Sequence, residues 1–322
     1  MLLLIAIGAV LIHVDFEARF FSHTAAVSEQ WEQQLRKEGK SPLIVFGGGS
    51  EIRANINPED FQQRYDMDVV NAGQHAGFGL VCNIISALPR LQAGDTFVVS
   101  VINSREICDD LPLLGVRYLW RREGIRALSS PLFPLTAGNI LKGVRFNQQW
   151  DWVYFEKLYY GDSAHWYETH AHLHPSGWME IYDRKDLVAN SQKKLNLPKT
   201  DYKPVLHFLK NLQEYCDARG VKLICYLPWR RCSDAEEEWI RQLDNIRFLQ
   251  LATREHIHFL KDEHLGCTTD ASLFADTHFH LNQEGVARNT ENLGASLRTH
   301  SFWTDEELAA QLNTLNNAPA AP

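Results

Sequence analysis

Ser50 closes the run Leu43-Ile44-Val45-Phe46-Gly47-Gly48-Gly49-Ser50, and far downstream Asp276-Thr277-His278-Phe279-His280 places an aspartate four residues before a histidine. A serine hydroxyl is a poor nucleophile near neutral pH until a base takes its proton, and imidazole is suited to that task. A carboxylate behind the imidazole fixes its tautomer and stabilises the imidazolium. Ser50, His280 and Asp276 are therefore the residue types of an acyl-transfer centre, provided the fold closes the gap between them. His278 competes with His280 as the base. A plainer reading also fits each end: a solvated serine after a glycine turn, and a polar loop in which neither histidine is catalytic.

Other side chains offer different chemistry. On an extended strand His170, His172 and His174 would share one face, a spacing adequate for a metal, although the usual His-Glu-His helical signal is missing and a polar rim is the commoner explanation. Arg53 and Arg105 are expected near the same edge as Ser50, where they either hold an anionic substrate or pair with Glu51 and Glu106; pairing is the favoured expectation. The basic doublets Arg121-Arg122 and Arg230-Arg231 read as solvated surface. Cys225 and Cys232 could bridge the loop between them in an oxidising compartment.

These residues need elements to position them. The apolar run 43–47 reads as a buried strand that turns where no side chain is tolerated. Asn57-Pro58-Glu59-Asp60 carries a cap, a first-turn proline and first-turn acids, which predicts a helix to about Arg64. Strands at 68–71 and 96–102 flank a crossover loop, 72–79, and a helix through Leu80, Ile84, Ile85 and Leu88. Alternation of strand and helix predicts a parallel sheet with helices on its faces. After a long insertion at 109–200 the pattern resumes with a helix over 205–216 closed by Gly220, a strand at 221–227, and a helix over 235–248 with Trp239, Ile240, Leu243 and Ile246 facing the core. An extended segment at 256–260 follows, then a closing helix over 286–297 capped by Asn282. The tail 309–322 is expected to fray.

The chain of 322 residues has 45% hydrophobic and 11% aromatic residues, enough for a substantial core. A net charge of -8 without a long basic run argues against nucleic acid as a partner. Six cysteines without a CxxC do not make a disulfide scaffold. Residues 1–26 begin with an uncharged apolar stretch, shorter than a bilayer span; a buried first strand or helix is the plainer reading, and an anchor or signal-like segment is the favoured expectation. Residues 27–40 then form a polar connector to the domain at 41–300, with a tail at 301–322. An extracytoplasmic, membrane-anchored location is the expectation that follows.

The blocks FGGGS (46–50), VNAGQHAGFG (70–79), VVSVIN (98–103) and DTHFHLNQEG (276–285) together resemble the SGNH/GDSL hydrolase superfamily. The similarity is to its branch of exported or anchored proteins related to the lipoteichoic-acid D-alanylation protein and polysaccharide O-acetyl-modifying enzymes. The resemblance implies a three-layer α/β/α sandwich with a mainly parallel sheet, and a serine esterase or acyltransferase acting on small acyl esters, such as acetyl, of a glycan. It assigns Ser50, His280 and Asp276 to catalysis. It assigns the oxyanion hole to the Ser50 amide, Gly77 and Asn103, with Gly73 as the second glycine. Gly49 stands where the family usually has Asp, and Val101-Ile-Asn-Ser departs from the usual Gly-x-Asn-Asp. No cofactor or metal is implied; a membrane acyltransferase is an expected partner. A non-catalytic accessory or polysaccharide-binding protein of the same fold is the alternative, and a metal enzyme built on His170, His172 and His174 is a further one.

Overall fold

The computed structural model describes residues 16–101, 171–182 and 201–317, together with Gly115, Tyr118, Leu119 and Arg122. Four parallel strands form the central sheet in the order β2-β1-β3-β6: β1 (Ile44–Gly47), β2 (Val69–Asn71), β3 (Thr96–Ser100) and β6 (Lys222–Tyr226). Successive side chains on a strand point to opposite faces, and here both faces are buried. Val45, Phe97, Val99, Leu223 and Cys225 pack into one core, and Phe46, Val98, Ile224 and Tyr226 into another.

Helices cover each face. The first core receives α1 (Phe16–Lys37), α4 (Leu80–Ala87), α5 (Lys203–Asp217) and α6 (Ala235–Arg254) through Phe21, Ile84, Leu209 and Ile246. The second receives α2 (Ser50–Asn55), α3 (Pro58–Tyr65) and α7 (Gln283–Thr299) through Ile52, Phe61 and Leu293. The architecture is mixed α/β, consistent with a general α/β/α sandwich. Two small sheets flank it: an antiparallel pair, β4 (Ala171–Leu173) with β5 (Met179–Ile181), and a parallel pair, β7 (Arg230–Arg231) with β8 (Cys267–Thr268). From β1 the chain goes to β2 on one side and β3 on the other. This reversal makes a crevice at the carboxyl ends of β1 and β3, where open α/β sheets hold ligands.

Caps act as the sequence predicts. Asn57 accepts from the Glu59 amide at 3.1 Å and Asn282 from the Gly285 amide at 3.0 Å. Gly220 turns the chain at φ +68° after α5.

Several expectations are corrected. Helix α1 runs without a break across the boundary expected at residues 26–27. Its Phe21, Ala25 and Leu35 are buried, Trp31 donates to the Val69 carbonyl at 3.0 Å, and Arg36 pairs with Asp95 at 2.7 Å. No helix among the described residues is long and apolar enough to cross a membrane. The membrane-anchored, extracytoplasmic placement and the signal-anchor role therefore do not stand for the segment from Phe16 onward; residues 1–15 lie outside the described residues. The tail is helical over α8 (Asp305–Asn317), with Leu308 buried. Trp239 is exposed and donates to the Leu315 carbonyl at 3.1 Å, holding α8 against α6 instead of facing the core. Cys225 lies in β6 near Cys216, while Cys232 sits beside Cys267, so no Cys225–Cys232 bridge forms. Most of the 109–200 insertion lies outside the described residues.

Candidate functional site

The turn after β1 admits no side chain at two of its glycines. A Cβ on Gly47 would lie 2.6 Å from Phe97 Cε2, and one on Gly48 would lie 2.5 Å from Ile52 Cγ1. Ser50 is therefore delivered at the carboxyl edge of an interior strand, as the first residue of α2, and is 8% exposed. Asn71, the last residue of β2, pins α2 from below. Its Nδ2 donates to the carbonyls of Ile52, Arg53 and Ile56 at 3.0, 3.2 and 2.7 Å. Trp178 adds a bond from Nε1 to the Ala54 carbonyl at 2.7 Å.

Asp276 and His280 lie on the loop that precedes α7. His280 Nδ1 is 2.9 Å from Asp276 Oδ1, and both residues are buried. The loop is self-braced, since Thr277 Oγ1 accepts from the amides of Phe279 and His280 at 3.2 and 3.1 Å, and the Ala275 amide donates to the His280 carbonyl at 2.9 Å. Asn55 joins this loop to the serine's helix. Its Nδ2 donates to the Phe279 carbonyl at 2.7 Å and its Oδ1 accepts from the Leu281 amide at 2.8 Å, gripping the chain on both sides of His280. Ser50 and His280 thus share one edge, although no hydrogen bond joins the Ser50 hydroxyl to the imidazole among the described residues.

The Gly73 amide donates to Asn71 Oδ1 at 3.0 Å and the Gly77 amide to His75 Nδ1 at 3.1 Å, so neither is free for an oxyanion in this geometry. A Cβ on Gly73 would lie 2.4 Å from the Arg53 amide nitrogen, so this glycine serves the close approach of its loop to α2. Asn103, Arg105, Glu106 and His170 lie outside the described residues. His278 sits two residues from His280; burial first, then Arg230, lowers its pKa. Arg53 does not pair with Glu51. It is buried and donates to the Gly73 carbonyl at 3.1 and 2.8 Å and to Gln74 Oε1 at 2.8 Å, so it braces the second loop. His174 Nε2 lies 3.2 Å from Glu180 Oε2 with its ring stacked on Trp178, and no group of three potential metal ligands exists among the described residues.

Two residues have no role in the sequence analysis, and a third, Glu51, has partners other than the expected Arg53. Asn55 and Asn71 are buried asparagines whose partners are set by tertiary contact. Glu51, directly after the serine, is fully enclosed. Burial raises its pKa, opposed by bonds from the Gly49 amide at 2.8 Å and the Ser100 hydroxyl at 2.9 Å and by the nearby His280. It ties the glycine turn to the end of β3.

His75, part-buried, is a further titratable group near this edge. Burial first, then the like charges of Arg53 and His280, push its pKa down to about 3. The ring is neutral near pH 7, and because Nδ1 accepts from Gly77 its proton sits on Nε2. A folded pKa below the unfolded value means the unfolded chain takes a proton that the folded chain refuses. Stability is then fully present above about 6.5 and drains away as pH falls toward about 3. Urea unfolding at about pH 7 and pH 5 should show a larger loss for the parent than for His75→Gln. Equal losses would assign the acid sensitivity to other groups.

Comparison of the chain with protein-family models, curated proteins and solved structures finds no match.

Proposed function

We propose that this protein is a serine-dependent esterase or acyltransferase of SGNH-like fold, acting on small acyl esters of a glycan through a covalent acyl-serine intermediate. One observation carries the reading. The buried Asp276–His280 pair is held by Asn55 to the helix that begins at Ser50. The support is geometric and adds to the resemblance of the sequence blocks.

In the proposed cycle the Ser50 hydroxyl passes its proton to His280 Nε2 as its oxygen bonds to the ester carbonyl carbon. Asp276 accepts from Nδ1–H and stabilises the imidazolium. The carbonyl oxygen takes up the negative charge and is met by the Ser50 amide, with Asn103 the further donor that the family resemblance implies. Collapse expels the alcohol, which leaves with the proton from His280. Water, or an acceptor hydroxyl, then attacks the acyl-serine by the same route in reverse, and the choice between them separates hydrolase from transferase. Catalytic hydrogen bonds commonly tighten only once substrate is bound, and the Ser50–His280 bond of this cycle forms at that stage.

A second reading, a non-catalytic accessory or polysaccharide-binding protein of the same fold, is favoured by the missing Ser50–His280 bond and the engaged amides of Gly73 and Gly77. Trapping with a serine-directed fluorophosphonate separates the two. Adduct on Ser50, absent in Ser50→Ala and sharply reduced in His280→Ala, is the expected outcome. An unlabelled, folded parent that also fails to cleave small acyl esters would favour the accessory reading.

A further inference from the structure

Arg230 opens β7 on the outer flank of the loop that carries His280. The segment is fixed there by backbone bonds: the Arg230 amide to the Gly266 carbonyl at 3.1 Å, and the Arg231 amide to the His278 carbonyl at 2.8 Å. Its neighbour Trp229 is buried, and Arg230 itself is only part exposed. Its guanidinium carbon lies 5.1 Å from the centre of the Phe279 ring, on the residue next to His280. Among the described residues the Arg230 side chain makes no ion pair and no hydrogen bond, and Nε is buried without a partner.

The surrounding charges do not relieve it. Arg241, of the same sign, faces Arg230 from α6. The carboxylate that attracts it, Glu237, is already bound to Arg241 at 2.7 Å and to the Ser233 amide and hydroxyl at 2.8 and 2.7 Å. Arg231 and His278 add positive or neutral groups on the same side. Burial first, then Arg241, depresses the Arg230 pKa. A desolvated cation without a counter-charge is strained electrostatically, and a planar guanidinium with open donors matches carboxylate and phosphate geometry. This position therefore differs from the solvated basic surface that the Arg230-Arg231 doublet suggests.

We propose that Arg230 is the binding site for an anionic group, a carboxylate or a phosphate, on the molecule whose ester is processed at Ser50. The substrate is then an acyl ester of an acidic molecule, its charge seated against Phe279 while the acyl group reaches His280. This deepens the serine-dependent reading and rests on it for the ester, although the anion site can be measured alone.

The test titrates the full chain with inorganic phosphate and, separately, with glucuronate by calorimetry, comparing the parent with Arg230→Gln and Arg230→Lys. At least tenfold weaker binding in Arg230→Gln, with Arg230→Lys between, is expected, and the tighter of the two anions names the group. In anion-free buffer Arg230→Gln should melt at or above the parent, because it removes a part-buried charge that is unpaired among the described residues and is repelled by Arg241. No binding of either anion by the parent, or unchanged affinity in Arg230→Gln, overturns the proposal. So does an Arg230→Gln that melts well below the parent, which would mark a structural residue. Fluorophosphonate labelling of the parent is read alongside. Anion binding without labelling overturns the serine chemistry and keeps the anion site, and labelling without anion binding does the reverse.

Discussion

In Asp276→Asn, acylation of Ser50 by a fluorophosphonate is expected to slow about 10³–10⁴-fold, with little change in melting temperature. Asp276 Oδ1 faces His280 Nδ1 at 2.9 Å, so as a carboxylate it can only accept there and leaves Nε2 bare as the base. An asparagine can instead turn its amide N–H toward Nδ1. The ring proton then moves to Nε2, where it blocks the pickup of the serine proton. The loop should survive this change, because Thr277 and the Ala275 amide brace it without using the Asp276 carboxylate. The rate falls while the geometry stays. A labelling rate within about threefold of the parent would remove Asp276 from the proposed mechanism.

The second large effect is expected at Asn55, which is 1% exposed and lies outside the proposed chemistry. Replacing it with alanine deletes the donor to the Phe279 carbonyl and the acceptor of the Leu281 amide at once. Both backbone groups, one buried and one part-buried, then lose their partners, which costs about 2–4 kcal/mol in total. Urea unfolding measures that loss directly. His280 also loses its registration with α2, and a misplacement of about 1 Å can cost on the order of 10²-fold in rate. Labelling of Ser50 in the fraction that remains folded should fall accordingly. A stability loss below about 0.5 kcal/mol, with normal labelling, would mean that the loop holds its place without this clamp.

Much of this scaffold was legible because it is written in short-range patterns. The apolar runs at 43–47, 96–102 and 221–227 contain the parallel strands β1, β3 and β6, since a sheet buried on both faces demands continuous hydrophobic residues. The Asn57-Pro58 and Asn282 starts became helix caps because the capping bond spans only two or three residues. The pairing of Asp276 with His280 was also readable, being a contact within one loop. Trp239 was misjudged because helical spacing told which residues share a face but not that α8 would cover that face with a polar edge. The part of the expected anchor segment from Phe16 to residue 26 was misjudged in the same way. From Phe16 onward its hydrophobic residues belong to a helix that buries Phe21 and Ala25 against the sheet domain, and hydropathy does not distinguish a protein core from a lipid one.

Short-range patterns specify the strands and helices of the central sheet domain, the glycine turn that ends in Ser50, and the local bond between Asp276 and His280. Folding is what brings these two ends to one edge. Asn55 meets Phe279 and Leu281 across 224 and 226 residues, and no local pattern encodes such partners. It also decided the fate of charge. Arg53 and Arg230 are each arginines in polar-looking stretches, yet folding surrounds the first with carbonyl acceptors and leaves the second against an aromatic ring and a like charge. Whether a guanidinium braces a loop or awaits an anion depends on which acceptors the fold brings within about 3 Å of it, a distance that hydrogen bonding requires and that the chain sets only when it is folded.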